Sequence, residues 1–157
     1  PLFCHVDGWQ WKPDLIWFDN LRVFGTPNYY VQKLFSVHRG DRVLPVEVAD
    51  AATAPNGKPR FYASSVYDER SNEVILKVVN ATADSISATV EAKGAKAVGP
   101  QANVTILASD KLNDENSFET PKKVAPIDSR IPVRSAEFRH DFRPYSLTII
   151  RLMCQTR

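Results

Sequence analysis

Few side chains of this chain stand in a pattern that supports catalysis. Hydrolysis by carboxylates needs two of them at a fixed separation, one as acid/base and the other as nucleophile or base. Only Asp7 and Asp19 directly follow apolar runs of the kind that form strands. Both stand among turn-forming residues, which favours a structural role in turns. The sequence therefore predicts no catalytic residue in this chain.

The histidines and cysteines do not form a metal or redox motif. His5, His38 and His140 are far apart and lack the ligand spacing of a zinc helix. Cys4 and Cys154 lie near opposite ends, outside any Cys-x-x-Cys pair. The spacing favours two free thiols and leaves a disulfide open. Phosphate-binding loops, nucleophile elbows and dinucleotide fingerprints do not occur in the sequence either, so we predict no cofactor.

Aromatic residues are concentrated near the start of the chain. Trp9 and Trp11 stand in a polar turn, where exposed indole rings are candidates for stacking on a sugar ring. Trp17, Phe18 and Tyr30 stand in apolar or helical patterns, which favours core packing. Trp9 and Trp11 are therefore the candidate ligand contacts, although the favoured interpretation is that they do not contact a ligand.

Composition points to a globular protein and against two classes of partner. The chain has 157 residues, of which 43% are hydrophobic and 24% charged, with a net charge of +2. Basic residues do not form a stripe with interleaved aromatics, so nucleic-acid binding is not expected. Apolar runs stay shorter than the roughly 18 residues of a membrane span, and the first residues do not resemble a signal peptide.

The first 40 residues predict one strand and one helix. Residues 15–18 form a continuous apolar run bounded by turn residues, which predicts a strand buried on both faces. Thr26 is a candidate N-cap, Pro27 suits the first helical turn, and Gly40 is placed to end a helix over 27–38. A lone strand and helix cannot bury their own apolar faces. The sequence therefore predicts the tail of a larger α/β protein.

The rest of the chain predicts an antiparallel β-sandwich. Strands are expected at 43–48, 60–68, 73–79, 85–92, 103–107 and 145–152, with a linker at 49–59 and a long irregular loop at 109–132. In the fourth of these strands, Ile86, Ala88 and Val90 alternate with polar residues, as in a sheet with one wet face. In the last, Leu147 and Ile149 are expected to face inward and Thr148 outward. Two acceptor triplets for N-glycosylation, at Asn80 and Asn103, are common by chance and predict nothing.

Several segments resemble a known family. Residues 13–20 (PDLIWFDN) and 25–36 (GTPNYYVQKLFS) resemble the end of the catalytic barrel in α-L-arabinofuranosidases of glycoside hydrolase family 51. Residues 114–121 (DENSFETP) and 144–148 (PYSLT) resemble segments of that family's C-terminal β-sandwich. The resemblance implies a mainly β fold: a jelly-roll-like antiparallel β-sandwich (44–157) preceded by a strand–helix remnant of a (β/α)8 barrel (1–43).

The resemblance also implies a function for the parent protein. It implies a retaining glycosidase that releases terminal α-L-arabinofuranosyl groups from arabinan or arabinoxylan, with both catalytic glutamates upstream of Pro1. Residues 2–5 would then be the last barrel strand, which makes His5, Trp9 and Trp11 candidate neighbours of the substrate pocket. The long loop would lie across the sandwich with Phe118 as its buried anchor. The missing barrel region would be a partner of this chain, and the parent would suit a secreted or periplasmic location and a homo-oligomer.

Two other readings stay open. A stand-alone carbohydrate-binding module is motivated by Trp9 and Trp11. An immunoglobulin-like interaction domain would be favoured if residues 1–45 were disordered.

Overall fold

The computed structural model describes residues 3–8, 14–50, 53–54 and 56–155, and its fold is mainly β. The elements in chain order are β1 (Phe3–His5), β2 (Ile16–Phe18), β3 (Val23–Gly25), α1 (Pro27–Val37), β4 (Arg42–Leu44), β5 (Phe61–Asp68), β6 (Glu73–Asn80), β7 (Ile86–Glu91), β8 (Ala97–Ala108), β9 (Ile127–Pro132), β10 (Glu137–Phe142) and β11 (Ser146–Gln155). Within the described ranges, none of the helical structure is long and apolar enough to cross a membrane.

A small mixed sheet opens the chain. β1 and β2 are parallel, with Cys4 opposite Trp17, and β3 returns antiparallel to β2. The strand predicted at 15–18 is confirmed, but its burial on both faces was wrongly predicted. The three residues of β2 are half-buried, because only three short strands make up this sheet. β3 was not predicted, since three residues are too few to show a period.

Helix α1 begins as the sequence predicts. The Thr26 hydroxyl oxygen accepts a hydrogen bond from the Tyr29 N–H at 3.2 Å, and Pro27 opens the helix, where a missing N–H costs nothing. Leu34 is buried against the large sheet. The helix ends one residue before the predicted position, and it packs on the strands that follow it.

Gly40 does not end the helix, contrary to prediction. The helix is already closed by His38, whose N–H donates to the Leu34 carbonyl at 3.0 Å. Gly40 instead lies against β5, where a Cβ atom would stand 2.5 Å from the Tyr67 carbonyl oxygen. A glycine is needed here because the chain passes this strand too closely for any side chain.

The remaining strands form two antiparallel sheets in a sandwich-like arrangement. The large sheet has the order β4-β5-β6-β11-β8-β9, and the small one pairs β7 with β10. The predicted strands in this part are confirmed with shifted ends, and the strand expected at 43–48 is the short edge strand β4. The inward alternation of Ile86, Ala88 and Val90 is also confirmed, since all three pack on the sandwich core.

The large sheet is covered on both faces, which overturns one prediction. Leu147 and Ile149 pack with Leu34 of the helix, whereas Ile150 belongs to the sandwich core. Thr148, predicted to face outward, is 0% exposed. Alternation does not separate wet from dry positions in a strand that has a helix on one side and a second sheet on the other.

The long loop is shorter and better anchored than the sequence indicated. Part of it, predicted as irregular, forms the edge strand β9, whose residues pair with β8 although five of the six are exposed and three are polar. Phe118 is half-buried, so the prediction of a buried anchor at that ring is wrong. The buried side chains of the loop are those of Asn116 and Val124.

β10 was not predicted. Glu137, Arg139 and Asp141 are exposed and alternate with inward-facing residues along this strand. The charged residues conceal the alternation, which Phe138 and Phe142 complete on the core side.

Candidate functional site

The C-terminal ends of β1 and β2 form the first candidate site. Because the two strands are parallel and His5 pairs with Phe18, the turns that follow them lie at the same edge of the sheet. The Val6 N–H donates to the Phe18 carbonyl at 3.0 Å and extends this pairing beyond β1. In barrels of parallel strands, this is the edge at which substrates bind.

His5 stands at this edge. Its ring meets the Phe18 ring edge-to-face, with centroids 5.3 Å apart. Its Nδ1 accepts a hydrogen bond from the Asp7 N–H at 3.2 Å and lies 3.8 Å from the Asp7 carboxylate. The imidazole is therefore oriented by its own turn and by β2. Trp9 and Trp11 lie outside the described residues, so their proximity to His5 stays a prediction.

Asp19 is a turn former, as the sequence indicated. Its Oδ1 accepts hydrogen bonds from the N–H groups of Leu21 and Arg22 at 2.8 and 2.6 Å. Its Oδ2 accepts two more from the Arg22 guanidinium, at 3.0 and 2.8 Å. The Leu21 N–H, and then Arg22, hold the pKa of Asp19 below its usual value. A carboxylate bound in this way is a poor proton donor or nucleophile.

The thiol beside this edge is inert. The Cys4 thiol donates a short hydrogen bond to the Asp14 carboxylate, and both side chains are buried. Burial, and then this hydrogen bond, raises the pKa of Cys4 to about 11, so the nucleophilic thiolate is rare at neutral pH. Cys154 is buried in the sandwich core, and neither cysteine forms a disulfide, as the sequence favoured.

A second candidate is a polar cavity of about 420 Å³ on the helix side of the large sheet. Its polar side chains come from the end of α1 and from β8, β9 and β11: His38, Asn103, Thr105, Asp128, Ser129, Arg130 and Arg151. The Thr105 hydroxyl donates to Asp128 at 2.5 Å. Sequence reasoning missed this group because its members are far apart in the chain.

Arg151 carries the main charge of the cavity, and carboxylates balance it. Its Nε donates to Glu73 at 2.9 Å and its NH2 group reaches Asp68 at 3.3 Å. Burial, and then the positive Arg151 and Lys77, lower the pKa of His38, which favours its neutral form. Two carboxylates thus balance Arg151, and the cavity is also lined by Asp128 and Arg130, which carry opposite charges. The described residues contain no group of three or more metal-ligating side chains here or elsewhere.

Comparison with known proteins relates most of the chain to one family. The α-L-arabinofuranosidase C-terminal domain family matches residues 1–146. Alpha-L-arabinofuranosidase 1 of Arabidopsis thaliana is 28% identical over 161 aligned residues, covering 98% of this chain and 22% of the relative. The extracellular exo-alpha-L-arabinofuranosidase of Streptomyces chartreusis is 46% identical over 75 residues, covering 44% of this chain and 9% of the relative.

Solved structures show the same fold. The arabinose-bound MgGH51 α-L-arabinofuranosidase superimposes with a TM-score of 0.86 at 25% identity, covering 99% of this chain and 23% of that protein. The arabinose complex of the α-L-arabinofuranosidase from Thermotoga maritima gives 0.79 at 22% identity, covering 88% and 31%. The chain spans less than a third of the length of each of these four proteins.

Proposed function

This chain belongs to the α-L-arabinofuranosidase C-terminal domain family of glycoside hydrolase family 51, and on that premise we propose that it is the C-terminal part of an α-L-arabinofuranosidase. In this proposal residues 1–43 supply the last strand, loop and helix of a (β/α)8 barrel. Residues 44–157 are an accessory β-sandwich. The observation that carries the proposal is the pair of parallel strands β1 and β2, followed by a helix and joined to a sandwich.

The position of β1 at the edge of its described sheet supports the proposal that a partner region of the full-length protein lies outside this chain. β1 pairs with β2 on one side, and in the described sheet it is the terminal strand. A terminal parallel strand leaves backbone N–H and C=O groups to be satisfied by a further strand. We propose that this strand belongs to the barrel region of the parent, which also covers the exposed Phe3 ring.

In our proposal, the catalytic residues of the full-length protein lie outside this chain. Retaining hydrolysis uses one glutamate as acid/base and another as nucleophile, and both would stand on earlier barrel strands. The groups available at the edge of β1 and β2 are consistent with that division. Asp19 is bound to Arg22, and the Cys4 thiol is protonated.

The substrate would be an arabinose-containing glycan such as arabinan or arabinoxylan. The proposal is supported by two similar enzymes whose structures hold arabinose. His5, with its ring fixed against Phe18, would border the pocket, and Trp9 and Trp11 would extend its rim. An extracellular relative supports a secreted or periplasmic parent.

The first experiment is hydrolysis of an aryl α-L-arabinofuranoside by the full-length gene product. The proposal predicts release of L-arabinofuranose, with the α-anomer appearing first in the ¹H NMR spectrum because a retaining enzyme preserves configuration. A gene product that leaves this substrate intact contradicts the proposal. First appearance of the β-anomer contradicts the retaining mechanism.

The pocket neighbours can be tested separately. Trp9→Ala in the full-length product should reduce retention on arabinan, with Trp17→Ala as a control for loss of a packed indole. Retention equal to wild type in Trp9→Ala would remove that residue from the pocket rim.

A further inference from the structure

The connection between β8 and β9, residues 109–126, leaves the sandwich and packs on the small sheet of β1, β2 and β3. We call this connection the strap. Asn116 is its anchor and is only 6% exposed. Its Nδ2 donates to the carbonyls of Gly25 and Val124 at 2.8 and 2.9 Å, and its Oδ1 accepts from the Val124 N–H at 2.7 Å. Because Gly25 ends β3, this one amide joins the strap to the start of α1.

The strap then reaches the β2–β3 hairpin through an aromatic contact. Phe118 meets Phe24 edge-to-face, with centroids 4.9 Å apart and planes at 90°. The Arg22 guanidinium lies 4.7 Å from the centre of the same Phe118 ring. Arg22 is also 4.0 Å from Glu119. Glu119 is mostly exposed, so the ring contacts contribute more than this ion pair.

Arg22 also contacts the turn between β2 and β3. The same guanidinium that lies on Phe118 donates two hydrogen bonds to Asp19. Leu21, in the middle of the turn, is 94% exposed and buries no apolar surface there. The conformation of the turn therefore depends on Asp19 and Arg22, and the position of Arg22 depends on the strap.

The turn lies at the edge where His5 stands, because β1 and β2 are parallel and in register. We propose that the strap is a positioning element for substrate binding, in which Phe118 holds Arg22 and thereby fixes residues 19–22 at the rim of the pocket. The inference rests on the proposed function, since it takes this edge as the substrate side of the barrel. It assigns the sandwich a role in binding in addition to its own fold.

The test is steady-state kinetics of the full-length gene product on an aryl α-L-arabinofuranoside. Phe118→Ala should raise KM about fivefold and leave kcat within about twofold, because it loosens a binding rim without touching the reacting atoms. Phe118→Tyr, which keeps the ring, should restore the wild-type KM. Phe138→Ala is the matched control: it removes a half-buried ring from the sandwich core, and should lower Tm with KM unchanged.

The outcomes separate the two proposals. A wild-type protein without activity contradicts the proposed function and, with it, the proposed role of the strap. An active wild type with Phe118→Ala at the wild-type KM, or with Phe138→Ala raising KM equally, contradicts the strap's role alone. If Phe118→Ala does not fold, Arg22→Lys replaces it, since that side chain is half exposed and the change loses the paired bonds to Asp19. An unchanged KM in Arg22→Lys also overturns the inference.

Discussion

Asn80 should be the polar residue on which the sandwich depends most. Its side chain is 1% exposed at the end of β6. Its Nδ2 lies within hydrogen-bond distance of three carbonyls, at 2.8, 3.1 and 2.9 Å, those of Asp84, Phe142 and Arg143. Its Oδ1 accepts from the N–H and hydroxyl of Thr82 at 3.0 and 2.7 Å. One amide thus ties the end of β6 to the turn before β7 and to the segment that joins β10 to β11.

Asn80→Ala should lower the free energy of unfolding by about 3 kcal/mol. The buried Thr82 N–H would lose the acceptor that it has here, which costs about 1–3 kcal/mol. The Phe142 carbonyl keeps a hydrogen bond from the Ser85 hydroxyl at 3.3 Å, so the lost bonds to the carbonyls add only about 0.5–1.5 kcal/mol each. Asn80→Asp should cost at least as much at pH 7, because a carboxylate oxygen would then face the carbonyls. The loss of stability in Asn80→Asp should be smaller at acidic pH, because the carboxyl group is then protonated and can donate a hydrogen bond again.

Urea unfolding followed by tryptophan fluorescence measures the effect. With a slope of about 2 kcal/mol per molar urea, the midpoint should fall by about 1.5 M. Asn103→Ala is the control, since Asn103 also begins an Asn-x-Thr triplet but is exposed on β8; its midpoint should stay within about 0.3 M of wild type. Equal small effects at both asparagines would refute the reasoning.

Three further predictions concern the core, the histidines and the thiols. Phe142→Ala should cost about 3–5 kcal/mol in urea unfolding, because the ring is buried in the sandwich core; a loss below 1 kcal/mol would contradict that burial. Burial, and then Arg151 and Lys77, hold the pKa of His38 in the folded protein below the ordinary histidine value of 6.5. The unfolded chain therefore takes up a proton at a higher pH than the folded one, and stability should fall as the pH drops below 6.5. His38→Gln should flatten this slope in urea midpoints measured between pH 7 and 5, and an unchanged slope would assign it to other groups. Cys4 and Cys154 should react with a thiol reagent only at the rate of unfolding, since both are buried with raised pKa values; rapid labelling of either in native buffer would contradict their placement.

The sequence predicts those elements whose local signals act alone. The hydroxyl of Thr26 and the ring of Pro27 suffice to start a helix, and α1 begins where they predict. The alternation of apolar and polar residues in β7 can be recognised in the sequence because one face of this strand is exposed to solvent. In β11 the same reasoning fails at Thr148, since the β7–β10 sheet covers the face of Thr148 while α1 covers the face of Leu147 and Ile149.

The candidate sites are less predictable, because they depend on pairing between distant segments. His5 became a candidate through the family resemblance, which makes residues 2–5 the last barrel strand, and its place beside the pocket stays a prediction. The polar cavity was missed, although Arg151 interrupts the apolar pattern of the last strand and was a usable signal. The strap's buried anchor was predicted at Phe118, whereas Asn116 and Val124 are the buried residues, and Asn116 satisfies three backbone groups that an aromatic ring cannot.

We propose that this chain completes a catalytic barrel whose reacting carboxylates lie elsewhere in the polypeptide. The most direct measurement compares the rate at which the full-length gene product and residues 1–157 alone release aryl alcohol from the same α-L-arabinofuranoside. We predict hydrolysis by the full-length product and none above background by residues 1–157. Hydrolysis by residues 1–157 alone, or by neither protein, would contradict this proposal.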